Sequence, residues 1–238
     1  PSFEKAGPRK KLYFKPGETV SAIVSCGGLC PGLNSVIRAI VMTSFYRYQS
    51  PKVLGYQYGF GGLVENEGHE PMELTPESDD HIHTQGGTII GSSRGHRNAG
   101  LMVDSLVKHG VKILYTIGGD GTQAGAMTIV DEIERRGLDI AIIGIPKTID
   151  NDIHFMDKSF GAESAFSEAV NIIHSAHVEA EGAFNGIGIV KLMGRHSGFL
   201  TANATLASGE ANFCLIPEQD FDLKGEKGFL AALEKRLD

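Results

Sequence analysis

The chain has 238 residues, of which 41% are hydrophobic and 21% are charged, as in soluble globular proteins of one large or two modest domains. Its net charge of −7 argues against a general nucleic-acid-binding or membrane-surface role, and no apolar run approaches the roughly 18 residues expected of a membrane span. Three cysteines, Cys26, Cys30 and Cys214, are too few for a disulfide framework, so we expect a reducing, cytoplasmic location.

The predicted elements begin after an N-terminal segment, PSFEKAGPRKKLYF, whose charges are followed by no apolar core, so it does not resemble a secretory signal. Short apolar runs predict strands at Val20–Ser25, 112–117, 140–145, 187–192 and 213–216. Helical spacing between these runs predicts helices at 34–45, Ala99–Lys108, 123–136 and 160–181. Gly110 and Gly137 follow two of these helices, as is typical of helix ends.

Unbroken apolar strands that alternate with helices predict an α/β fold, with a mainly parallel sheet covered by helices on both faces. In such sheets, ligands bind at the loops that leave the carboxyl ends of the strands. Three loops rich in glycine or aspartate follow predicted strands directly, and these loops are the first places to look for chemistry.

The first of these loops is SCGGLCPGLNSVIRAI, residues 25–40. Gly27, Gly28 and Gly32 would let backbone N–H groups approach an anion, and the following helix adds its positive end. The loop matches neither G-x-G-x-x-G nor the GK[ST] phosphate loop, so a purely geometric glycine turn is an equal alternative. Its two cysteines lack a second Cys/His cluster with zinc spacing, which favours packing over metal binding.

The second loop is YTIGGDGTQAGA, residues 115–126, where Asp120 stands among glycines at a strand-to-helix turn. A carboxylate beside amides that hold phosphate is well placed for Mg²⁺, which proteins usually bind with one or two carboxylates plus substrate phosphates. The alternative is that Asp120 only caps the helix through its side chain.

The third loop is IPKTIDNDIHF, residues 145–155. Asp150 and Asp152 are two residues apart, so in an extended loop they would face the same side, while Lys147 and Thr148 can contact phosphate oxygens. Phosphoryl transfer needs an anion cradle, Mg²⁺, a carboxylate for the acceptor proton and cations for the developing charge. Taken together, the loops therefore predict a kinase.

A fourth glycine-rich stretch, GGTIIGSSRGHRN at residues 86–98, offers the cations through Arg94 and Arg97. The alternative for both arginines is a solvated surface position, and for Arg97 this alternative is equally favoured.

Five ordered motifs carry a resemblance: CGGLCPGLN, GGTIIGSSRG, GGDGT, PKTIDND, and KLMGRHSG followed by ASGEANFCLIPE. They occur in this order in 6-phosphofructokinases, and the chain resembles that family from about Tyr13 to its end. It is most similar to the branch that contains plant and trypanosomatid ATP-dependent enzymes and the pyrophosphate-dependent ones. GGDGT alone would be unspecific, because lipid kinases and NAD kinases carry it too.

The resemblance implies a two-lobed fold, with a nucleotide- and Mg²⁺-binding lobe at residues 1–160 and the first part of a sugar-phosphate lobe at 161–238. Family members continue beyond this point, so we expect a C-terminally truncated second lobe. The family is usually dimeric or tetrameric, which implies a homo-oligomer. Glu218 in LIPE matches a glutamate of the bacterial effector site, with a solvated carboxylate as the alternative.

The resemblance also assigns catalytic roles to loop residues. Asp150 matches the base that deprotonates the 1-hydroxyl of fructose 6-phosphate, and Asp152 matches the aspartate that supports base and metal. Thr148 matches a substrate contact and transition-state donor. Arg94 matches an arginine that bridges the transferred phosphoryl group, and Gly28 matches a glycine whose backbone approaches it.

Binding roles follow in the same way. Asp120 matches the Mg²⁺ aspartate. The remaining matches to nucleotide or phosphate contacts are Gly119, Gly121, Thr122 and Lys147, and those to sugar-phosphate contacts are Met193, Gly194 and Arg195.

In the family that the chain resembles, the residue after GGD follows the phosphoryl donor: glycine, as in Gly121, implies room for the α-phosphate of ATP, whereas pyrophosphate users carry an aspartate. Lys147 is instead the residue that pyrophosphate users place before the threonine. Plant-like ATP enzymes combine both features, so ATP is the expected donor. Two further departures are Gly186, in place of an arginine of bacterial enzymes, and Phe60, in place of a nucleotide-contacting tyrosine.

The expected activity is therefore transfer of the γ-phosphoryl group of ATP to O1 of fructose 6-phosphate, a glycolytic and often allosteric step. A pyrophosphate-dependent phosphotransferase is the alternative within enzymes. A non-catalytic regulatory subunit that binds nucleotide is the alternative outside them, and the intact Asp150 argues against it.

Overall fold

The structure, a computed structural model, describes residue 7, residues 9–67 and residues 69–237, without the side chain of Asn66. It contains two compact units, Pro1–Ile145 and Pro146–Asp238, called unit 1 and unit 2 below. Half of the 14-residue segment expected not to be a secretory signal lies outside the described residues, so that expectation stays a prediction. The predicted ligand-binding lobes, 1–160 and 161–238, divide the chain after residue 160, whereas the two compact units divide it after Ile145. That each lobe binds its own ligand also stays a prediction.

A five-stranded sheet forms the centre of unit 1. Its strands are β1 (Val20–Ser25), β2 (Val53–Tyr56), β3 (Met72–Leu74), β4 (Val111–Gly118) and β5 (Ala141–Pro146), in the order β3-β2-β1-β4-β5. β1 pairs in parallel with β2 and with β4, whereas β3 runs antiparallel to β2. The predicted mainly parallel sheet is thus confirmed. The antiparallel edge strand β3 was not predicted from the sequence.

Helices cover both faces of this sheet. They are α1 (Leu33–Tyr48), the short α2 (Pro76–Asp79), α3 (Ala99–Lys108) and α4 (Asp120–Arg136), with 3₁₀ turns at Gly59–Leu63, Glu65–Glu67 and Ile82–Thr84. Ile23 packs in one core cluster with Ile37 of α1, whereas Val24 packs in the other with Leu106 and Ile129 of α3 and α4. Successive strand side chains point to opposite faces, so one strand supplies both cores.

Local sequence explains where these helices begin and end. The side chain of Asn98 accepts a hydrogen bond from the N–H of Leu101 and so caps the start of α3. Gly137 ends α4 with a left-handed φ of 63°, and its N–H bonds back to the carbonyls of Glu134 and Ile133. The helix end predicted at Gly137 is confirmed.

Among the residues that the structure describes, the helices of unit 2 are joined by long non-helical segments. Its helices are α5 (Ala162–Glu181), α6 (Phe199–Ser208) and α7 (Phe229–Leu237), and α5 confirms the helix predicted at 160–181. The strands predicted at 187–192 and 213–216 are wrong, because the structure gives neither segment a β-ladder. A strand needs a hydrogen-bonded neighbour as well as an apolar pattern. Val190 and Leu192 instead pack on a small core of Ala169, Ile173 and Ala204.

Within the described ranges, none of the helices combines the length and the apolar character that a membrane crossing requires.

Candidate active site

The glycine loop after β1 lies at the carboxyl edge of the sheet in unit 1, beside the end of β4. The N–H of Cys26 donates to the carbonyl of Ile117 at 2.9 Å, and the N–H of Gly27 donates to the carbonyl of Ser93 at 2.9 Å. The hydroxyl of Ser92 donates back to the carbonyl of Gly27 at 2.7 Å. The loop is thus held from both sides, and two of the predicted stretches, 25–40 and 86–98, meet here.

Arg94 lies directly beside the backbone of Gly28. A β-carbon on Gly28 would lie 3.1 Å from Nη2 of Arg94, whose side chain is exposed. An arginine guanidinium and backbone N–H groups that no side chain covers are both good donors to phosphate oxygens. The structure therefore brings these two predicted phosphate contacts together.

Arg97 is engaged in a different way. Its Nη2 donates to Oε2 of Glu67 at 2.9 Å, and this hydrogen bond raises the pKa of the Arg97 guanidinium. The sequence left Arg97 open between phosphate contact and surface solvation. In the structure, Arg97 forms an ion pair with Glu67 of unit 1.

The GGDGT turn connects β4 to α4. Gly119 is the N-cap residue and receives no side-chain cap, while Asp120 is the first residue of the helix and is exposed. The alternative that Asp120 caps α4 through its side chain is therefore not observed. A β-carbon on Gly118 would collide with Thr122, which is buried, so this glycine is required for the turn. Gly121 has open space where a β-carbon would point.

Asp120 fits a magnesium ion that is shared with a phosphate ligand. No group of three or more His, Cys, Asp or Glu side chains in the described part of the chain could hold a metal by itself. Mg²⁺ commonly takes only one or two carboxylates and completes its shell with waters and substrate phosphates. A single exposed carboxylate beside the N-terminus of α4 matches that donor set.

Gln123 is a structural residue of this edge that sequence reasoning missed. Its Nε2 donates to the carbonyl of Gly118 at 3.1 Å and to the carbonyl of Ile145 at 3.3 Å. A β-carbon on Gly144 would collide with the Gln123 side chain. Gln123 thus connects the end of β4 to the end of β5. In the sequence, the only sign of this role is the position of the glutamine directly after GGDGT.

Phe60 does not occupy the position that its expected role requires. Its side chain is only 6% exposed, and a β-carbon on Gly125 of α4 would lie 2.6 Å from its ring. It is a core residue in this structure, so a nucleotide contact through this ring is not available here. Tyr58, two residues earlier, is 48% exposed and has a left-handed φ of 57°.

In unit 2, the loop after β5 carries the predicted base. The N–H of Asp150 donates to Oγ1 of Thr148 at 3.1 Å, and Asp152 is exposed. Asn151 between the two aspartates has a φ of 51°, so the backbone is not extended there. The argument that the spacing alone places both carboxylates on one side is therefore wrong. Lys147 is 4% exposed, and its phosphate-binding role stays a prediction.

Asn151 and Ser159 hold this loop in shape. The N–H of Ser159 donates to Oδ1 of Asn151 at 2.8 Å, and Nδ2 of Asn151 donates to the carbonyl of Asp157 at 3.0 Å. The buried hydroxyl of Ser159 donates to the carbonyl of Thr148 at 2.5 Å. Sequence reasoning missed both residues, although an asparagine between two loop aspartates is a known turn signal.

The predicted sugar-phosphate contacts lie in the turn before α6. Met193 is 66% exposed, Arg195 is exposed, and Gly194 has a φ of 116° that favours glycine. Glu218 accepts a hydrogen bond from the N–H of Gly198 at 2.7 Å, so it supports the start of α6. Glu218 is also exposed, so the solvated alternative agrees with the structure, and its match to an effector-site glutamate stays a prediction.

Two cavities lie apart from most of the predicted residues. One of about 550 Å³ in unit 1 is lined by Tyr13, Tyr48, Tyr115 and Asp139 among others, and it contains none of the predicted site residues. It opens near the amino ends of β1 and β5, opposite the loops described above. A smaller one of about 160 Å³ in unit 2 includes Asn151 in its lining.

Comparisons with known proteins agree on one family. A sequence profile described as "Phosphofructokinase" matches residues 20–237. The chain is 50% identical, over 98% of its length, to an "ATP-dependent 6-phosphofructokinase" from Borreliella burgdorferi, of which it covers 52%. It is also 50% identical, over 99% of its length, to "ATP-dependent 6-phosphofructokinase 7" from Arabidopsis thaliana, of which it covers 48%.

The fold agrees as well. The structure of phosphofructokinase from Saccharomyces cerevisiae matches 92% of this chain with a TM-score of 0.78 and 27% identity, and 32% of that chain is covered. The chain spans about half the length of the curated relatives it matches.

Proposed function

Because this chain belongs to the phosphofructokinase family, we propose that it acts as part of an ATP-dependent 6-phosphofructokinase. The proposed reaction transfers the γ-phosphoryl group of ATP to O1 of fructose 6-phosphate. The proton of the 1-hydroxyl goes to Asp150, the new O–P bond forms, and ADP leaves with the electrons of the broken bond.

The observation that carries this proposal is the pairing of Arg94 with Gly28 at the carboxyl edge of the sheet. The guanidinium lies beside a backbone that has no side chain, where a β-carbon would be 3.1 Å from Nη2. Arg94 would donate to the transferred phosphoryl group, and the N–H groups of the glycine loop would face its oxygens. Both interactions strengthen as negative charge moves onto those oxygens.

The turn after β4 supports donor binding. Gly119 and Gly121 would let the backbone at the start of α4 approach the donor phosphates, which the positive end of a helix favours. Thr122 and Lys147 are both buried. Their proposed contacts therefore require that their polar atoms be accessible to the bound ligand. Asp120 would hold Mg²⁺, which neutralises charge on the donor phosphates when bound.

Acceptor activation is assigned to unit 2. Asp150 would serve as the base, and its backbone is fixed on one side by the bond from its N–H to Thr148. Asp152 would support the base and the metal, and Thr148 would donate to the transferred group. Met193, Gly194 and Arg195 would bind the sugar phosphate, for which the exposed Arg195 supplies a bidentate donor.

ATP is the proposed donor because of Gly121. Apart from its own neighbouring backbone, nothing lies within 4 Å of the place where its β-carbon would point, so no protein atom obstructs a larger donor there. An aspartate at this position would fill that space and add a negative charge.

A donor assay tests the proposal. The 238-residue chain and the complete open reading frame that encodes it are each supplied with fructose 6-phosphate, Mg²⁺ and either ATP or pyrophosphate, and fructose 1,6-bisphosphate is followed. Product with ATP alone is the expected result. Product with pyrophosphate alone would reverse the donor assignment, and ligand binding without product would favour a regulatory subunit.

The proposal includes a homo-oligomer, a dimer or a tetramer, in the cytoplasm. Analytical ultracentrifugation of the complete open reading frame tests the assembly, and a strictly monomeric species that turns over ATP would contradict it.

A further inference from the structure

The hydroxyl of Ser197 connects two separate loops of unit 2. Its Oγ donates to the backbone carbonyl of Asp150 at 2.6 Å, across 47 positions of sequence. Ser197 is 4% exposed, so water does not compete freely for this bond. A buried side chain bonded to the main chain of the proposed base is unlike an ordinary surface serine.

The other end of this connection is equally constrained. A β-carbon on Gly194 would collide with the carbonyl of Ser197, so residues 194–197 form a tight turn that depends on the glycine. The next residue, Gly198, is held through its N–H by Glu218 at 2.7 Å. Arg195 lies inside this turn, so its backbone and that of Ser197 move together.

The backbone of Asp150 is consequently held on both sides by hydroxyl groups. Thr148 accepts from its N–H at 3.1 Å, and Ser197 donates to its carbonyl at 2.6 Å. The first bond joins two residues of the same loop, so it does not fix where that loop lies relative to other segments. The second bond sets the loop relative to the turn that carries Arg195.

We infer that Ser197 is a positioning residue, which sets the backbone of the base Asp150 against the turn that binds the sugar phosphate. This inference rests on the proposed function, because it takes Asp150 as the base and Arg195 as an acceptor contact. The hydroxyl of Ser197 donates to a main-chain carbonyl, so it acts through the backbone of Asp150 and not on the reacting atoms. Base catalysis is sensitive to displacement, since about 1 Å can cost about 10²-fold in rate.

The test compares Ser197→Ala and Ser197→Thr with the matched control Ser50→Ala. Ser50 is also buried, and its hydroxyl also donates to main-chain carbonyls, those of Thr19 at 2.7 Å and Lys52 at 3.1 Å, which precede β1 and β2 in unit 1. The complete open reading frame is used. Rates are expressed per folded protein from thermal melts, so that a loss of stability alone does not lower them.

We expect Ser197→Ala to lower kcat by about 10-fold or more, with the KM for ATP within about two-fold of wild type. The solvent deuterium isotope effect on kcat should rise, because proton transfer to a displaced base becomes more rate-limiting. Ser197→Thr, which keeps the hydroxyl, should recover most of the rate. Ser50→Ala should change neither kcat nor the isotope effect.

Three outcomes overturn the inference. The first is a Ser197→Ala enzyme whose kcat and isotope effect match those of Ser50→Ala. The second is a loss that appears only in the KM for ATP. The third is a wild-type protein that makes no fructose 1,6-bisphosphate, which overturns the proposed function as well. An active wild type with an unaffected Ser197→Ala variant overturns the inference alone.

Discussion

The guanidinium of Arg94 lies so close to Gly28 that a β-carbon on the glycine would be 3.1 Å from Nη2. The two residues are 66 positions apart in sequence, and the hydrogen bonds of Gly27 with Ser92 and Ser93 hold their loops together. The proposed function puts the transferred phosphoryl group beside this bare backbone and this arginine, within reach of donors from both.

Gly28→Ala should therefore lower kcat without unfolding the protein. The added methyl group meets only the end of a flexible side chain, so Arg94 can move aside and unit 1 can keep its fold. We expect kcat to fall by about 10²-fold, as for loss of one preorganised donor to a transition state. Steady-state kinetics with ATP check this. Gly86→Ala is the control, because Gly86 has no heavy atom within 4 Å of such a methyl group. Equal rates for both variants would contradict the role of this pair.

Asp150→Asn should abolish most of the chemical step. The amide keeps the size and hydrogen-bonding reach of the side chain but cannot take a proton at neutral pH, so kcat should fall by about 10²-fold or more. Binding of fructose 6-phosphate, measured by calorimetry, should change much less. Asp157→Asn in the same loop is a suitable control, since Asp157 is exposed and the structure uses its backbone carbonyl. A near-normal kcat in Asp150→Asn would remove it as the base.

Gly121→Asp should weaken the use of ATP by both bulk and charge. The side chain would enter open space, so the variant should fold normally. We expect kcat/KM for ATP to fall by about 5-fold or more, since one close like-charge contact costs at least about 1 kcal/mol. Gly121→Asn separates the two causes, because it has nearly the same volume without the charge. If Gly121→Asp leaves ATP kinetics unchanged, the donor argument from this residue fails.

Tyr56 should make stability depend on pH in the alkaline range. Burial raises the pKa of its phenol from 10.0 to about 12, and its hydroxyl lies 3.0 Å from Nδ1 of His109. The unfolded chain therefore loses this proton first, and the free energy of unfolding is unaffected below about pH 10 and falls between about pH 10 and 12. Urea unfolding at several pH values measures the slope.

Tyr56→Phe is the control for that slope. It lacks the titrating group, so the part of the alkaline loss caused by Tyr56 should disappear, although the variant starts less stable because the bond to His109 is gone. Identical alkaline slopes in both proteins would show that other groups cause the loss.

Much of the fold was predictable because helices and parallel strands have local patterns. The helix expected at 123–136 is present as α4, and its end at Gly137 follows from the left-handed conformation that glycine adopts easily. The strands expected at 187–192 and 213–216 are absent, because strand formation does not depend on local pattern alone. Their apolar residues describe a buried segment, but a ladder also requires a partner, which a local pattern does not specify.

The sequence by itself determined the family and the loops of the candidate site, because the order of GGDGT, PKTIDND and MGR and the glycines at strand ends are local features. Only the tertiary structure separated Arg94, which lies beside Gly28, from Arg97, which pairs with Glu67. Only it placed Phe60 in the core and bonded Ser197 to the carbonyl of Asp150. The physical reason is that these contacts are distances between residues far apart in sequence, and those distances exist only once the chain has folded.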